Sequence, residues 1–244
     1  MKGTLRLFSR NSPTHFCACS EYAGRWLFGN RLYDSGRVEI INNAIDLTRF
    51  RYDHQAREAI RVELNIMDKF VIGHVGRFMK QKNHTFLIDV FKQIHMQDSN
   101  AVLLLVGEGE LEQAVRDKVE RLKLADCVFF LGIRSDVHKL FSAMDVFLLP
   151  SLYEGLPVVG IEAQSSGLPI AASDTVTKEA KLTKDFMFIS LEQSAKEWAT
   201  RILKTHTLKP LCVSRESVTE QIADAGYDIG SAAERLLHFY KKIV

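Results

Sequence analysis

The sequence predicts an α/β protein: a doubly wound parallel sheet with helices on both faces. From residue 70 onward, short β-branched apolar runs alternate with amphipathic helical stretches, which is the pattern of βαβ units. The runs are continuously apolar instead of alternating, as strands covered on both faces are. The composition supports the core this requires, with 244 residues, 46% hydrophobic and 25% charged. A chain of that size buries about 70% of its unfolded surface and needs no disulfide or metal to hold it.

The first 68 residues carry a strand at 15–20, a helix at 21–28, a second strand at 37–42 and a polar stretch to about residue 53. Cys17 and Cys19 are two apart, which places them on one strand face, where they are expected to pack as small buried thiols. With Cys127 and Cys212 they form no CxxC pair and have no His at metal spacing. These residues are too few for a two-layer domain and are expected to pack as an edge on the main unit. That unit has strands at 70–76, 101–107, 128–131, 146–149, 169–173 and 186–189, with helices at 83–96, 110–124, 136–144, 157–166 and 191–204. In the first of these helices Phe86, Leu87, Val90, Phe91 and Ile94 form one apolar stripe facing the sheet. Two further helices, 214–225 and 229–244, are broken at Ala225-Gly226 and entered through Gly230-Ser231, and no strand follows. No repeat with a period of 20 to 50 residues is visible.

Charge and hydropathy narrow the function. Lys plus Arg number 32 against 30 Asp plus Glu, so no overall field recruits nucleic acid. The longest apolar run, 101–106, is far short of a membrane span, and the Met1 segment lacks the apolar core of a signal peptide. A cytoplasmic protein is expected. GxxxxGK, GxSxG, HExxH and Asp-x-Asp are absent, so no bound metal is expected. His74, His84, His95 and His138 read as structural or surface residues, with His84 capping a helix beside Asn83.

In open parallel sheets ligands bind where strands end and helices begin. Three such junctions stand out. At Gly76-Arg77-Phe78-Met79-Lys80-Gln81-Lys82 a glycine allows a sharp turn, after which Arg77 and Lys82 are placed to hold a dianionic phosphate; a solvated basic loop is the alternative. At 154–162 Gly155 permits close backbone approach and Pro157 suits a helix start, whose free N–H groups bind phosphate. Glu154 can accept hydrogen bonds from sugar hydroxyls and Glu162 from a ribose. A solvent-facing pair is the common alternative, but Glu162 sits in the otherwise apolar VVGIEA, where a charge needs a partner. The third junction, Gly107-Glu108-Gly109-Glu110, lacks the last glycine of a dinucleotide fingerprint and reads as a plain tight turn.

Together the stretches GRFMKQKNHTFLI, LLLVGEGELEQAV, VFFLG and LFSAMDVFLLPSLYEGLPVVGIEAQSSGLPIAAS resemble the donor-binding half of the retaining glycosyltransferases of family 4, over residues 38–203. That family has the GT-B architecture of two facing Rossmann-like domains. The most specific elements are the E-x7-E pair Glu154 and Glu162 and the Arg-x4-Lys pair Arg77 and Lys82. The resemblance implies catalytic roles for Glu154, Arg77 and Lys82. It implies donor contacts at Arg77, Lys82, Gly155, Leu156, Pro157, Val158 and Glu162, with the base near the 132–134 loop at Ile133. The implied donor is a nucleotide-diphosphate sugar, with UDP the expected nucleotide. The implied acceptor is a glycan or lipid-linked molecule in polysaccharide biosynthesis. A hexose or N-acetylhexosamine is transferred with retention, without cofactor or metal, in the cytoplasm or peripherally at the inner membrane. Arg77, Lys82 and the helix start would stabilise charge on the departing β-phosphate.

HFCACSEYAGRWLFG and VEIINNAIDLTRF are similar to the last strand and helix of the family's N-terminal domain and to its interdomain linker. On that resemblance residues 1–48 are a remnant of that domain plus the linker, and 49–244 the nucleotide-sugar-binding domain. The acceptor half would come from a partner chain or a homodimer. The apolar face of Ala232, Leu236, Leu237, Phe239 and Tyr240 is expected to pack on residues 1–48 or to mediate dimerisation. Other readings are a non-catalytic nucleotide-sugar-binding module and a nucleotide-sugar epimerase of the same fold. A sugar phosphorylase ranks lower, since it needs a cofactor lysine and far more chain.

Overall fold

A computed structural model describes residues 13–208, 215 and 218–243. The chain forms β1 (Phe16–Ala18), α1 (Glu21–Phe28), α2 (Asn30–Asp34), β2 (Val38–Ile40), α3 (His54–Glu63), β3 (Phe70–Val75), α4 (His84–Gln97), β4 (Ala101–Val106) and α5 (Glu112–Arg121). There follow β5 (Val128–Phe130), α6 (Val137–Ala143), β6 (Val146–Leu149), α7 (Val158–Ser165), β7 (Ile170–Ser173), β8 (Phe186–Ile189), α8 (Ala195–Leu208), α9 (Thr219–Ile222) and α10 (Ile229–Ile243).

Six strands make one parallel sheet in the order β5-β4-β3-β6-β7-β8. All six expected strands are present, and the order reverses direction between β3 and β6, the topological switch point of a doubly wound fold. Their continuous apolar runs are explained by burial, since β4, β6 and β7 are buried at every position. The α4 stripe packs as predicted, with Leu87, Val90, Phe91 and Ile94 buried, Ile88 added and Phe86 edge-on to Trp198.

Residues 54–63, given no element by their sequence, form α3. Its first-turn N–H groups are capped by Asp53, which accepts from Gln55 and Ala56. Its inward face carries Arg57 and Arg61, whose guanidinium groups each reach Asp145 at 2.7 Å; Asp145 also accepts from the Val71 N–H. A buried carboxylate with three such donors is stable where an unpaired one is not.

The small parallel pair β1-β2 forms its own sheet, closed by a cluster of Phe16, Phe28 and Val38. It is tied to the main unit by Glu179, whose carboxylate accepts from the Glu21 and Tyr22 N–H groups at 2.8 and 2.7 Å. The expectation of buried thiols fails for Cys17, which is exposed, and for Cys19, which is half-buried; Cys127 is buried. Strand β1 ends at Ala18 and turns Phe16 and Ala18 inward, so Cys17 points out and Cys19 lies beyond the strand. Cys212 lies outside the described residues. The helix expected at 214–225 begins only at Thr219 among the described residues, and a left-handed Gly226 (φ 88°) ends the wide turn after it. Helix α10 is entered at Asp228, whose side chain accepts from Ser231, and not through Gly230. Its apolar face is divided: Ala232 is buried and Phe239 meets His15 edge-on, whereas Leu237 and Tyr240 are exposed. Among the described residues no helix is long and apolar enough to cross a membrane.

Candidate functional site

The candidate site lies at the switch point, on the loops that leave β3 and β6. After β3 the chain turns at Gly76, whose N–H donates to the Val106 carbonyl at 2.9 Å. Phe78 then plugs inward at 1% exposure, stacked on His84 at 4.2 Å. Neighbouring side chains point apart, and Arg77 is left 71% exposed, 3.6 Å from Glu110.

The Gly107 turn is more than the plain turn expected. Phe78 donates to the Glu108 carbonyl, and Leu111 donates back to that of Phe78, each at 3.0 Å. The two loops pack backbone on backbone. A Cβ at Gly109 would stand 2.5 to 2.8 Å from three main-chain atoms of Phe78, and one at Gly107 (φ 126°) would strike the Gly76 carbonyl oxygen. Both glycines answer to close approach.

A short 3-10 turn at Lys80–Lys82 and a left-handed Asn83 (φ 57°) carry the chain into α4. Asn83 donates to the Pro150 carbonyl, across to the β6 loop, instead of capping α4. His84 does not cap the helix either: it is buried, and neither ring nitrogen has a hydrogen-bond partner. Burial first, and then the Lys82 charge, push its pKa down to about 4. His74 is buried beside it, donates through Nδ1 to the Leu148 carbonyl and is likewise held neutral, chiefly by burial.

On the β6 side Glu154 is the hub. Its Oε1 accepts from Lys82 Nζ at 2.6 Å and from Ser151 Oγ at 2.9 Å, and its Oε2 from Gln81 Nε2 at 2.9 Å. Leu152 N–H completes the seam by donating to the Gln81 carbonyl. Ser151 is fixed from behind, because Ser173 and Thr175 hydroxyls both donate to its carbonyl. Both oxygens of Glu154 are therefore engaged within the protein, where the sequence reading gave them to sugar hydroxyls. Helix α7 follows, with Pro157 at its N-cap and no side chain capping the first turn. A Cβ at Gly155 would project into open space.

Lys82, Glu154, Leu156, Pro157, Val158 and Glu162 line one cavity of ≈ 560 Å³. Arg77 and Ile133 line a second cavity of ≈ 560 Å³ on the other side of the Gly76 turn, beside Glu108 and Arg134. The first cavity also contains Arg49, which the sequence gave no reason to single out. Glu162 is half-buried, and no hydrogen-bond donor among the described residues reaches its carboxylate; burial raises its pKa, against a smaller lowering by Arg49. Among the described residues no three His, Cys, Asp or Glu side chains gather as metal ligands.

The family model described as Glycosyl transferases group 1 matches residues 56–220. The chain is 37% identical over 238 residues to EpsF, a provisionally assigned glycosyltransferase of Bacillus subtilis (strain 168), covering 96% of this chain and 61% of that protein. It is 26% identical over 216 residues to the Escherichia coli UDP-Gal:alpha-D-GlcNAc-diphosphoundecaprenol alpha-1,3-galactosyltransferase, covering 86% of this chain and 56% of that one. It thus spans less than two thirds of either curated relative. Among solved structures, Anabaena HepE in complex with UDP superposes with a TM-score of 0.81 at 20% identity, over 99% of this chain and 68% of that one. That likeness shows the fold, an α/β unit of the GT-B type.

Proposed function

The chain belongs to the group 1 glycosyl transferases, and from that premise we propose that it binds a nucleoside-diphosphate sugar, with UDP as the nucleotide, across the two cavities that adjoin at Gly76. The observation that carries the reading is Glu162: a half-buried carboxylate without a donor beside the Lys82–Glu154 pair and an uncapped helix start, all lining one cavity. A half-buried carboxylate of that kind carries a desolvation cost that a hydrogen-bonding ligand offsets. In this reading Arg77, Lys82 and the α7 N-terminus compensate charge on the leaving β-phosphate, without a metal. Glu162 holds the ribose, and Gly155, Leu156, Pro157 and Val158 approach the phosphates. Ile133 lies by the base. Glu154 acts first on Lys82, which it clamps.

We further propose the family 4 assignment, with Glu154 and Glu162 as its E-x7-E pair, and transfer of a hexose or N-acetylhexosamine with retention to a glycan or lipid-linked acceptor. Polysaccharide biosynthesis in the cytoplasm, peripheral to the inner membrane, is the setting this implies. Residues 49–244 would be the donor domain and 1–48 the edge of an acceptor domain completed by further chain or a partner. The complexes of HepE with UDP and with UDP-glucose, and the UDP-Gal donor of the E. coli relative, support the nucleotide.

The test is the thermal midpoint with and without millimolar UDP and no added metal. Ligand at 100 times its dissociation constant stabilises by about 2.7 kcal/mol, a rise of about 5 to 10 °C for this length. Lys82→Ala and Glu162→Ala, each compared with its own ligand-free midpoint, should abolish the rise. Absence of a rise with UDP, GDP and ADP would refute the reading.

A further inference from the structure

Arg49 and Glu162 line the same cavity, close enough for the Arg49 charge to act on the Glu162 carboxylate, yet they form no ion pair. Two opposite charges in a shared cavity ordinarily close on each other. Arg49 is prevented from doing so by how it is held. Asp46 accepts from the Thr48 and Arg49 N–H groups in a tight turn. Leu47 and Phe50 on either side are drawn into the apolar interior. At its tip, Arg49 Nη2 donates to the Ser135 carbonyl at 2.9 Å. Pinned at root and tip, the exposed Arg49 side chain is kept at the lining of the cavity that Glu162 also lines, with guanidinium N–H groups beyond the one given to Ser135 still available as donors.

A ligand group that suits this space must both donate and accept. A phosphate only accepts and is repelled by Glu162; an ammonium only donates and is repelled by Arg49. A vicinal diol does both: its two O–H groups donate to a carboxylate, and its oxygens accept from a guanidinium. Resting on the nucleoside-diphosphate reading above, we infer that Arg49 is a ribose-binding residue, its guanidinium and the Glu162 carboxylate gripping the 2′,3′-diol of the nucleotide from opposite sides. The grip distinguishes ribose from 2′-deoxyribose, because removing one hydroxyl leaves a charged group in the cavity without its partner.

The experiment is calorimetric titration of the intact chain with UDP, 2′-deoxy-UDP and inorganic pyrophosphate, for wild type, Arg49→Met, Arg49→Lys and Glu162→Gln. The wild type should prefer UDP over 2′-deoxy-UDP by tenfold or more. Arg49→Met should lose about tenfold for UDP, with little change for 2′-deoxy-UDP and none for pyrophosphate, so that the preference collapses; Arg49→Lys should restore only part of it. Arg49→Met combined with Glu162→Gln should cost less than the product of the single losses, because both act on one diol. Equal weakening of all three ligands by Arg49→Met would make Arg49 a distant charge and overturn the inference, as would no change in any. Those results leave the nucleoside-diphosphate reading standing. Failure of the wild type to bind UDP, GDP or ADP removes that reading, and the inference with it.

Discussion

Replacing Lys82 with Met should destabilise the protein by about 2 to 3 kcal/mol and uncouple the two loops of the cavity. Lys82 and Glu154 side chains are 16% and 8% exposed and meet at 2.6 Å. Removing one partner of a buried pair costs about 3 to 5 kcal/mol, because the other charge is left unpaired. Here the loss falls below that range, since Ser151 and Gln81 still donate to Glu154 at 2.9 Å each. At about 2 to 4 °C per kcal/mol for a chain of this size, the midpoint should fall by about 5 to 10 °C. Urea denaturation of wild type, Lys82→Met, Glu154→Met and the double variant gives the coupling. The double variant should recover much of the loss, with a coupling energy of about 2 kcal/mol. If the two losses simply add, within about 0.5 kcal/mol, Lys82 and Glu154 do not hold the loops together, and the account of Glu154 as a clamp is wrong.

The glycine loop and the buried histidines give two further tests. Gly107→Ala combines a left-handed φ, about 1 to 3 kcal/mol, with a main-chain collision, about 1 to 3 kcal/mol, and should lower the midpoint by about 10 °C, whereas Gly109→Ala carries the collision alone and should lower it by about half as much. A loss for Gly107→Ala no greater than for Gly109→Ala would contradict this. His84 titrates at about 4 in the folded state and at the usual 6.5 when unfolded, so between these values the unfolded chain binds more protons and stability rises with pH, reaching its full value above 6.5. The span of about 2.5 units corresponds to about 3 kcal/mol; urea midpoints from pH 4 to pH 7.5 should therefore be steeper for the wild type than for His84→Gln, and parallel curves would refute the buried neutral assignment.

Most of the sheet was legible because its strands are apolar on both faces and bounded by turn residues. Phe70–Val75 and Ala101–Val106 needed nothing else. Helix α3 was not legible, for a physical reason: its core-facing positions include Arg57 and Arg61, and two guanidiniums directed at Asp145 break the apolar period that marks a buried face. The spacing from Arg77 to Lys82 and from Glu154 to Glu162 singled out two loops that the fold brings together as a candidate site. It could not tell that Lys82 and Gln81 would both reach Glu154, because that depends on how loops some 70 residues apart meet, or that Arg77 would face a neighbouring cavity, which is set by the loops at 106–109 and 133–137. Arg49 lay in a polar stretch with no periodicity, and what distinguishes it, its contact with Ser135 and the cavity it shares with Glu162, arises only in the folded chain. Cys17 shows the opposite error, a residue assigned to the interior by type when the alternation of its strand put it outside.

The reversal of strand order between β3 and β6 also divides the labour of the cavity. The block ending at β5 contributes Lys82; the block beginning at β6 contributes Glu154, Glu162 and the α7 start. The two blocks are joined within the sheet by the register pairs Ile72 with Val146 and Gly73 with Phe147, and beside them by the His74 to Leu148 hydrogen bond, which spans 74 positions. Such distant pairing is entropically slow to form. Neither block alone brings Lys82 together with Glu154 and Glu162, so an early folding species with only one block formed offers a ligand half a cavity. On the proposed reading, nucleotide capture would report on completed assembly, and a ligand present during folding would draw the chain toward the joined state without acting on either part alone.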